Sequence, residues 1–155
     1  MTVQHEQPEM VKALTAAERN AITVFYSAWK KKQPELLDEV CTPDWQDIPL
    51  GPGQAEGPKG LQDIISWFSS TFPDVEIMIH EIYGTYERAG VRASFVFTHN
   101  SELMGIPATG KKVALTLHEF HHLKDGRLTH TWHLEDWFGL LLQSGVWSAK
   151  GLGGN

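Results

Sequence analysis

The chain has 155 residues, of which 41% are hydrophobic, and a single cysteine, Cys41. Its formal net charge of -6 argues against a nucleic-acid partner, because such proteins carry a basic surface. One cysteine excludes an internal disulfide, and neither a membrane span nor an export signal is visible in the sequence. We expect a cytoplasmic protein without a membrane partner, with one domain over residues 14–146 between flexible tails at 1–13 and 147–155.

The first part of the chain predicts three helices. Thr15 and Glu18 have the spacing of a capping box, and the apolar residues that follow recur at helical spacing. Pro34 opens a short second helix over residues 35–40, and a third helix follows the glycine- and proline-rich loop at 51–60. Residues 45–48, between the second and third helices, predict a short strand.

The second part predicts four strands in succession. Residues 75–80 and 91–99 alternate apolar and polar side chains, which is typical of strands. Asp125 and Gly126 stand between two further alternating runs and are a strong signal for a two-residue hairpin turn joining strands 113–123 and 128–136. The order of elements predicts an α+β domain, in which a curved antiparallel sheet and three N-terminal helices enclose a pocket.

The turn also predicts which side chains meet across the hairpin. In this register His121 faces His130, Glu119 faces Trp132, and Leu115 faces Asp136. All six would lie on the more apolar side, so Asp136 is predicted to lie in an apolar wall. The opposite side, with His118, His122 and His133, would suit solvent or a partner subunit, and a slip of one residue would exchange the two sides.

The run from His118 to His122 spells the zinc-protease signature H-E-x-x-H. Two histidines four residues apart can share a zinc ion on a helix, but on a strand they stand roughly 13 Å apart. The β-branched residues Val113 and Thr116 and the Asp-Gly turn favour a strand. We therefore predict no metal site here.

Two motifs resemble one known family. The run FTHNSELMGIPATGKKV is similar to the Thr-His and Gly-Ile-Pro-x-Thr-Gly-Lys pattern of the SnoaL-like polyketide cyclases, also called ester cyclases. The run DGRLTHTWHLEDWFGLLLQSG resembles the Asp-Gly-Lys/Arg, Trp, Asp and Gln-x-Gly pattern of the same family, and the resemblance extends over residues 17–145. It implies the cone-shaped fold of nuclear transport factor 2, ketosteroid isomerase and scytalone dehydratase, and a homodimer.

The resemblance implies an intramolecular aldol ring closure without metal or cofactor, in which a pocket aspartate is the general acid/base. The matching residue is Asp136, and His99, His121 or His130 would stabilise or protonate the second carbonyl oxygen. The alternative for Asp136 is a structural carboxylate that caps the turn at Trp137. The predicted substrate-binding residues are aromatic and polar wall positions: Trp45, Asp47, Phe68, Phe97, Met104 and Trp132. A supporting histidine is expected two residues before Asp136, but position 134 is Leu, and His133 would face inward only if a β-bulge turned it.

Three functions remain open from the sequence. The first is an enzyme that cyclises, isomerises, dehydrates or hydrolyses a small apolar or aromatic carbonyl compound. The second is a protein that binds such a compound without turnover, and the third is a module that dimerises through the histidine-rich sheet face. An enzyme requires an acid/base residue within hydrogen-bond reach of an open cavity.

Overall fold

The computed structural model describes residues 12–148 of the chain. Its helices are α1 (Ala16–Lys30), α2 (Leu37–Val40, after a 3-10 turn at Pro34–Leu36), α3 (Gly57–Thr71) and α4 (Trp137–Ser144). Its strands are β1 (Cys41–Ile48), β2 (Glu76–Thr85), β3 (Arg88–Thr98), β4 (Lys112–Lys124) and β5 (Arg127–Glu135). The predicted α+β class is confirmed.

The five strands form one mixed sheet in the order β1-β5-β4-β3-β2. Neighbours among β2 to β5 are antiparallel, but β1 runs parallel to β5, with Asp47 opposite Thr131. The prediction of a wholly antiparallel sheet is therefore wrong at this edge. Strand β1 follows helix α2 in the chain and is not joined to β5 by a hairpin, so nothing requires these two strands to be antiparallel.

The first helix forms as its sequence predicts. The Thr15 hydroxyl accepts a hydrogen bond from the Glu18 backbone N–H at 3.1 Å, and the Glu18 carboxylate accepts from the Thr15 N–H at 2.7 Å. This reciprocal capping box satisfies two N–H groups that a helix start leaves without partners. The second oxygen of Glu18 accepts from the Glu87 N–H at 2.9 Å, which ties α1 to the β2–β3 turn.

The fourth helix was not predicted. Asp136 caps its start by accepting from the Gly139 N–H at 2.8 Å, and Gly145 ends it in the left-handed conformation, with φ of +80°. Both residue types are usual helix-end signals.

Helices α1 and α3 cover one face of the sheet, and the hydrophobic core lies between these helices and the sheet. Large side chains that are almost fully buried there come from both layers: Phe25, Ile22, Ile65, Phe72, Phe97, Leu117 and Leu128. Of the predicted flexible tails, residues 1–11 and 149–155 lie outside the described part. Within residues 12–148, no helix is long and apolar enough to cross a membrane.

Candidate active site

A β-bulge in the β4–β5 hairpin decides which side chains of β5 face the helices. Asp125 and Gly126 form the predicted turn, with φ of +51° and +76°, and Lys124 pairs with Arg127 as expected. Leu123 then pairs with Leu128, but His122 pairs with His130, so Thr129 is an extra residue on β5. Beyond this point the faces of β5 are exchanged.

The bulge makes the predicted register wrong beyond Leu128. Thr131, His133 and Glu135 face the helices, whereas His130, Trp132 and Leu134 lie on the outer face of the sheet. Glu119 pairs with His133 and not with Trp132. The inward side of β4 is as predicted, because the bulge adds its residue to β5 alone.

A cavity of about 670 Å³ opens between the sheet and helices α1 and α3. Its walls are mostly apolar and aromatic, with carboxyl groups and one histidine on the sheet side. The lining residues include Trp29, Asp47, Phe68, Met104, Glu119, His133, Glu135 and Trp137. A cavity with these features is the usual form of a small-molecule site.

His133 is held by an acceptor on each ring nitrogen. Its Nδ1 lies 2.8 Å from a Glu135 carboxylate oxygen, and its Nε2 lies 2.7 Å from the Pro49 carbonyl oxygen and 3.5 Å from Asp47. Burial alone would lower its pKa, but these bonds and the two carboxylates outweigh burial and raise the pKa to about 9. Because a carbonyl oxygen can only accept, the arrangement favours an imidazolium that donates from both nitrogens.

Asp47 completes the charged group at the β1–β5 edge. The side-chain amide of Gln54 donates to Asp47 Oδ2 at 2.7 Å, and the imidazolium of His133 lies on its other side. Burial raises the pKa of Asp47, and the charge of His133 and the Gln54 bond oppose that rise.

Glu119 is the carboxyl group best suited to proton transfer. Its Oε2 accepts a short hydrogen bond from the Tyr26 hydroxyl. Burial raises the pKa of Glu119 to about 7, although the Tyr26 bond and the charge of His133 act to lower it. A carboxyl group with a pKa near the working pH can both take up and return a proton.

Asp136 does not lie in an apolar wall, so that prediction is wrong. Its side chain is exposed and caps α4 through the Gly139 N–H, and the cavity lining does not include it. His130 and Trp132 also face away from the cavity. Their rings stack on the outer face of the sheet, with ring centroids 5.4 Å apart. The bulge at Thr129 explains the orientation of Asp136, His130 and Trp132. Without the extra residue, the alternation of side chains along β5 would direct all three toward the cavity.

The other predicted site residues divide between cavity and core. Asp47, Phe68 and Met104 line the cavity. Trp45, Phe97, His99 and His121 are buried and are not among its lining residues. His99 bonds Thr109 through Nδ1 at 3.1 Å, and its Nε2 is buried without a partner in the described part of the chain. His121 is the next inward-facing residue of β4 after Glu119, and it lies outside the cavity wall.

The sequence did not single out Glu119 or Glu135 as site residues, and it placed His133 inward only on the condition of a β-bulge. The alternation of side chains along β4 does place Glu119 on the inward side. Glu119 could therefore have been recognised as a site residue from the predicted hairpin alone. His133 and Glu135 required the bulge, which only the three-dimensional structure supplies. The run His118–His122 lies within strand β4, as predicted, and no cluster of metal-ligating side chains occurs within residues 12–148.

Comparison with known proteins agrees with the fold. Residues 19–144 match the family model described as SnoaL-like polyketide cyclase. The chain is similar to TsrD from Streptomyces laurentii, with 24% identity, a TM-score of 0.77, and coverage of 86% of this chain and 99% of that one. No curated protein sequence matches it significantly.

Two other solved structures have slightly higher identity. A candidate polyketide cyclase from Bacillus cereus has 26% identity and a TM-score of 0.73, and the match covers 96% of this chain and 99% of that one. IdmH from Streptomyces antibioticus, also a candidate polyketide cyclase, has 26% identity and a TM-score of 0.72, with coverage of 83% and 98%.

Proposed function

The chain belongs to the SnoaL-like polyketide cyclase family, and we propose that it is an acid/base enzyme acting on a small apolar or aromatic carbonyl compound. The reaction class is an aldol-type cyclisation, or a related isomerisation or hydrolysis, performed by side chains of the cavity without a cofactor. The observation that carries the proposal is Glu119, a carboxyl group with a pKa near 7 in the wall of an apolar cavity.

In the proposed cycle Glu119 serves as base and then as acid. Its carboxylate removes a proton from the carbon between two carbonyl groups, and the resulting enolate carbon attacks a second carbonyl carbon to form the ring. The new alkoxide oxygen takes the proton back from Glu119. The protein therefore ends with the protons with which it began, and one carboxyl group suffices.

The negative charge that develops on the substrate oxygens needs a partner. The imidazolium of His133, opposite Glu119 on β5, supplies a positive charge within the same cavity. Because both of its ring nitrogens are engaged, His133 acts in this proposal through its charge. The indole groups of Trp29 and Trp137 line the cavity and can offer N–H donors to carbonyl oxygens.

The catalytic role predicted for Asp136 is replaced in this proposal by Glu119, because an exposed helix-capping carboxylate is outside the cavity. A binding protein that uses the same cavity without turnover is the alternative. It would tolerate the loss of the Glu119 carboxylate, whereas an acid/base enzyme would not.

Hydrogen–deuterium exchange at the carbon next to a ketone tests the base directly. We would incubate α-tetralone in D₂O with the wild type, Glu119→Gln and Asp136→Asn, and follow the α-proton signal by NMR. We expect wild-type exchange to rise as the pH passes about 7, and Glu119→Gln to lose about 100-fold or more.

Two other results of this experiment would contradict the proposed role of Glu119. Loss of exchange in Asp136→Asn but not in Glu119→Gln would restore the assignment made from the sequence. If saturation-transfer NMR showed binding of α-tetralone to the wild type without exchange at pH 8, the binding-protein function would be favoured. Circular dichroism of each variant confirms that it is folded.

A further inference from the structure

Behind Glu119, four side chains from α1, β1, β4 and β5 form a continuous line of hydrogen-bonding groups. The Trp45 Nε1 lies 3.1 Å from the Thr131 hydroxyl, which lies 2.9 Å from His121 Nδ1. His121 Nε2 lies 2.7 Å from the Tyr26 hydroxyl, and that hydroxyl reaches Glu119 Oε2. Trp45, Tyr26, His121 and Thr131 are each less than 5% exposed, so water does not compete for these bonds.

The chemistry of the two ends gives the line one direction. An indole N–H can only donate, so Trp45 donates to the Thr131 oxygen, which leaves the Thr131 hydrogen for His121 Nδ1. With Nδ1 as acceptor, a neutral His121 carries its hydrogen on Nε2 and donates to the Tyr26 oxygen. The Tyr26 hydrogen is then free to donate to Glu119 Oε2. Every bond in the line is satisfied in this arrangement.

The ionisation states agree with that direction. Burial lowers the pKa of His121 to about 3, so its ring is neutral at ordinary pH. Burial and the neighbouring Glu119 raise the pKa of Tyr26 well above its usual value, so its hydroxyl keeps its hydrogen. None of the four groups carries a charge, and the line therefore orients hydrogen bonds without adding a counterion.

We infer that Trp45, Thr131, His121 and Tyr26 are positioning residues for Glu119, which fix its Oε2 by a one-way series of donors and leave Oε1 to exchange the proton with the ligand. Oε1 has no hydrogen-bond partner among the described residues, and it is not among the fully enclosed polar atoms. The claim that the exchanging partner is a substrate rests on the proposed function. The arrangement of the line itself does not.

Several other titratable groups lie near Glu119. The titratable groups that line the same cavity as Glu119 are His133 and Glu135 from β5, Asp47 from β1, and Asp63 from α3. His121 and Tyr26 approach it from β4 and α1. Of these, only Tyr26 donates a hydrogen bond to the Glu119 carboxylate. Removal of that single hydroxyl is therefore the cleanest change, because it alters no formal charge at the site.

The first test reads the direction of the line in the unaltered protein. Long-range ¹H–¹⁵N spectra of protein labelled with ¹⁵N-histidine distinguish the two neutral ring forms from the charged form. We expect His121 to carry its hydrogen on Nε2 from pH 5 to 8. A hydrogen on Nδ1, or a ring that becomes charged in that range, would overturn the proposed direction.

The second test follows Glu119 itself, by ¹³C NMR of glutamate carboxyl carbons during a pH titration, with Glu119→Gln to identify its signal. In Tyr26→Phe the carboxylate loses the donor that favours its charged form, and we expect it to bind its proton about tenfold more tightly. Tyr83→Phe, an exposed tyrosine on β2, is the matched control and should leave the titration unchanged.

An unchanged Glu119 titration in Tyr26→Phe would overturn the positioning role. Neither test uses a substrate, so both can succeed where the ketone exchange assay fails. In that case the line would still hold the carboxylate, and only the proposed reaction would fall.

Discussion

At the level of single residues, the site pairs two groups whose charges are set by what surrounds them. Glu119 sits where burial opposes its charge, and its pKa rises to about 7. His133, its neighbour across β4 and β5, sits between Glu135, Asp47 and the Pro49 carbonyl, and its pKa rises to about 9. Between these two values the carboxylate is free to accept a proton while the imidazolium keeps its charge, which is the condition that the proposed enolate step requires.

His133 also gives the fold a specific dependence on pH. Its pKa is 6.5 in an open chain and about 9 in the fold, so between these values the folded state holds a proton that the unfolded state lacks. The stabilising contribution is thus complete below pH 6.5 and lost as the pH rises through 9. It amounts to at most about 3 kcal/mol of unfolding free energy.

Urea unfolding at pH 6.5, 8 and 9.5 measures this contribution. We expect the wild type to lose more unfolding free energy over this range than His133→Gln, because the variant has no proton to lose at that site. His118→Gln, an exposed histidine on the outer sheet face, is the matched control and should keep the wild-type dependence. Equal pH dependence in the wild type and His133→Gln would contradict the assignment.

At the level of elements, local signals in the sequence predicted most of the fold. The capping box at Thr15 and Glu18 and the Asp125–Gly126 turn act over a few residues, and both form as expected. The bulge at Thr129 has no comparable local signal, because threonine suits a regular strand equally well. Leu128 and Thr131 are both buried although they lie three residues apart, and so the inward face of β5 could not be read from alternation.

The α4 helix shows the opposite situation, because the sequence held a local signal for it and the capping role was the alternative to catalysis for Asp136. Asp136 and Gly145 stand where a helix cap and a helix end belong, on either side of the eight-residue helix Trp137–Ser144. The resemblance to the family gave Asp136 a catalytic role, and its capping geometry explains why an acidic residue suits this position without one.

The cap makes a stability prediction for α4. Asp136→Ala removes the acceptor for the Gly139 N–H and should lower the unfolding free energy by about 1 kcal/mol. Asp136→Asn retains a side-chain oxygen at the same distance and should cost much less. Thermal and urea unfolding of the two variants give the comparison, and equal losses would mean that the capping bond does not contribute.

At the level of the whole molecule, the sheet separates the cavity from a second surface. The outer face of β4 and β5 carries His118, Phe120, His122, His130, Trp132 and Leu134. Phe120 is 55% exposed and Leu134 is 76% exposed, so large apolar side chains lie open on this face. A second copy of the chain remains the partner that we expect, as the sequence resemblance implies, and we propose this face as its binding surface.

Sedimentation velocity tests that expectation. If the outer face joins two copies, Leu134→Asp and Phe120→Asp should shift the protein from dimer to monomer, because each would bury a charge in the interface. Tyr86→Asp, an exposed aromatic residue in the β2–β3 turn, is the control and should leave the sedimentation coefficient unchanged. A wild type that sediments as a monomer at every concentration would refute the predicted dimer.

The extra residue on β5 has a consequence for comparing this protein with its homologues. A homologue that lacked one residue between Leu128 and His130, and was otherwise the same, would direct the counterparts of His133 and Glu135 away from the cavity. Two sequences could then share nearly every amino acid and still differ in their chemistry. The length of this hairpin, counted from its turn, is therefore a better guide than percentage identity to which homologues share the reaction.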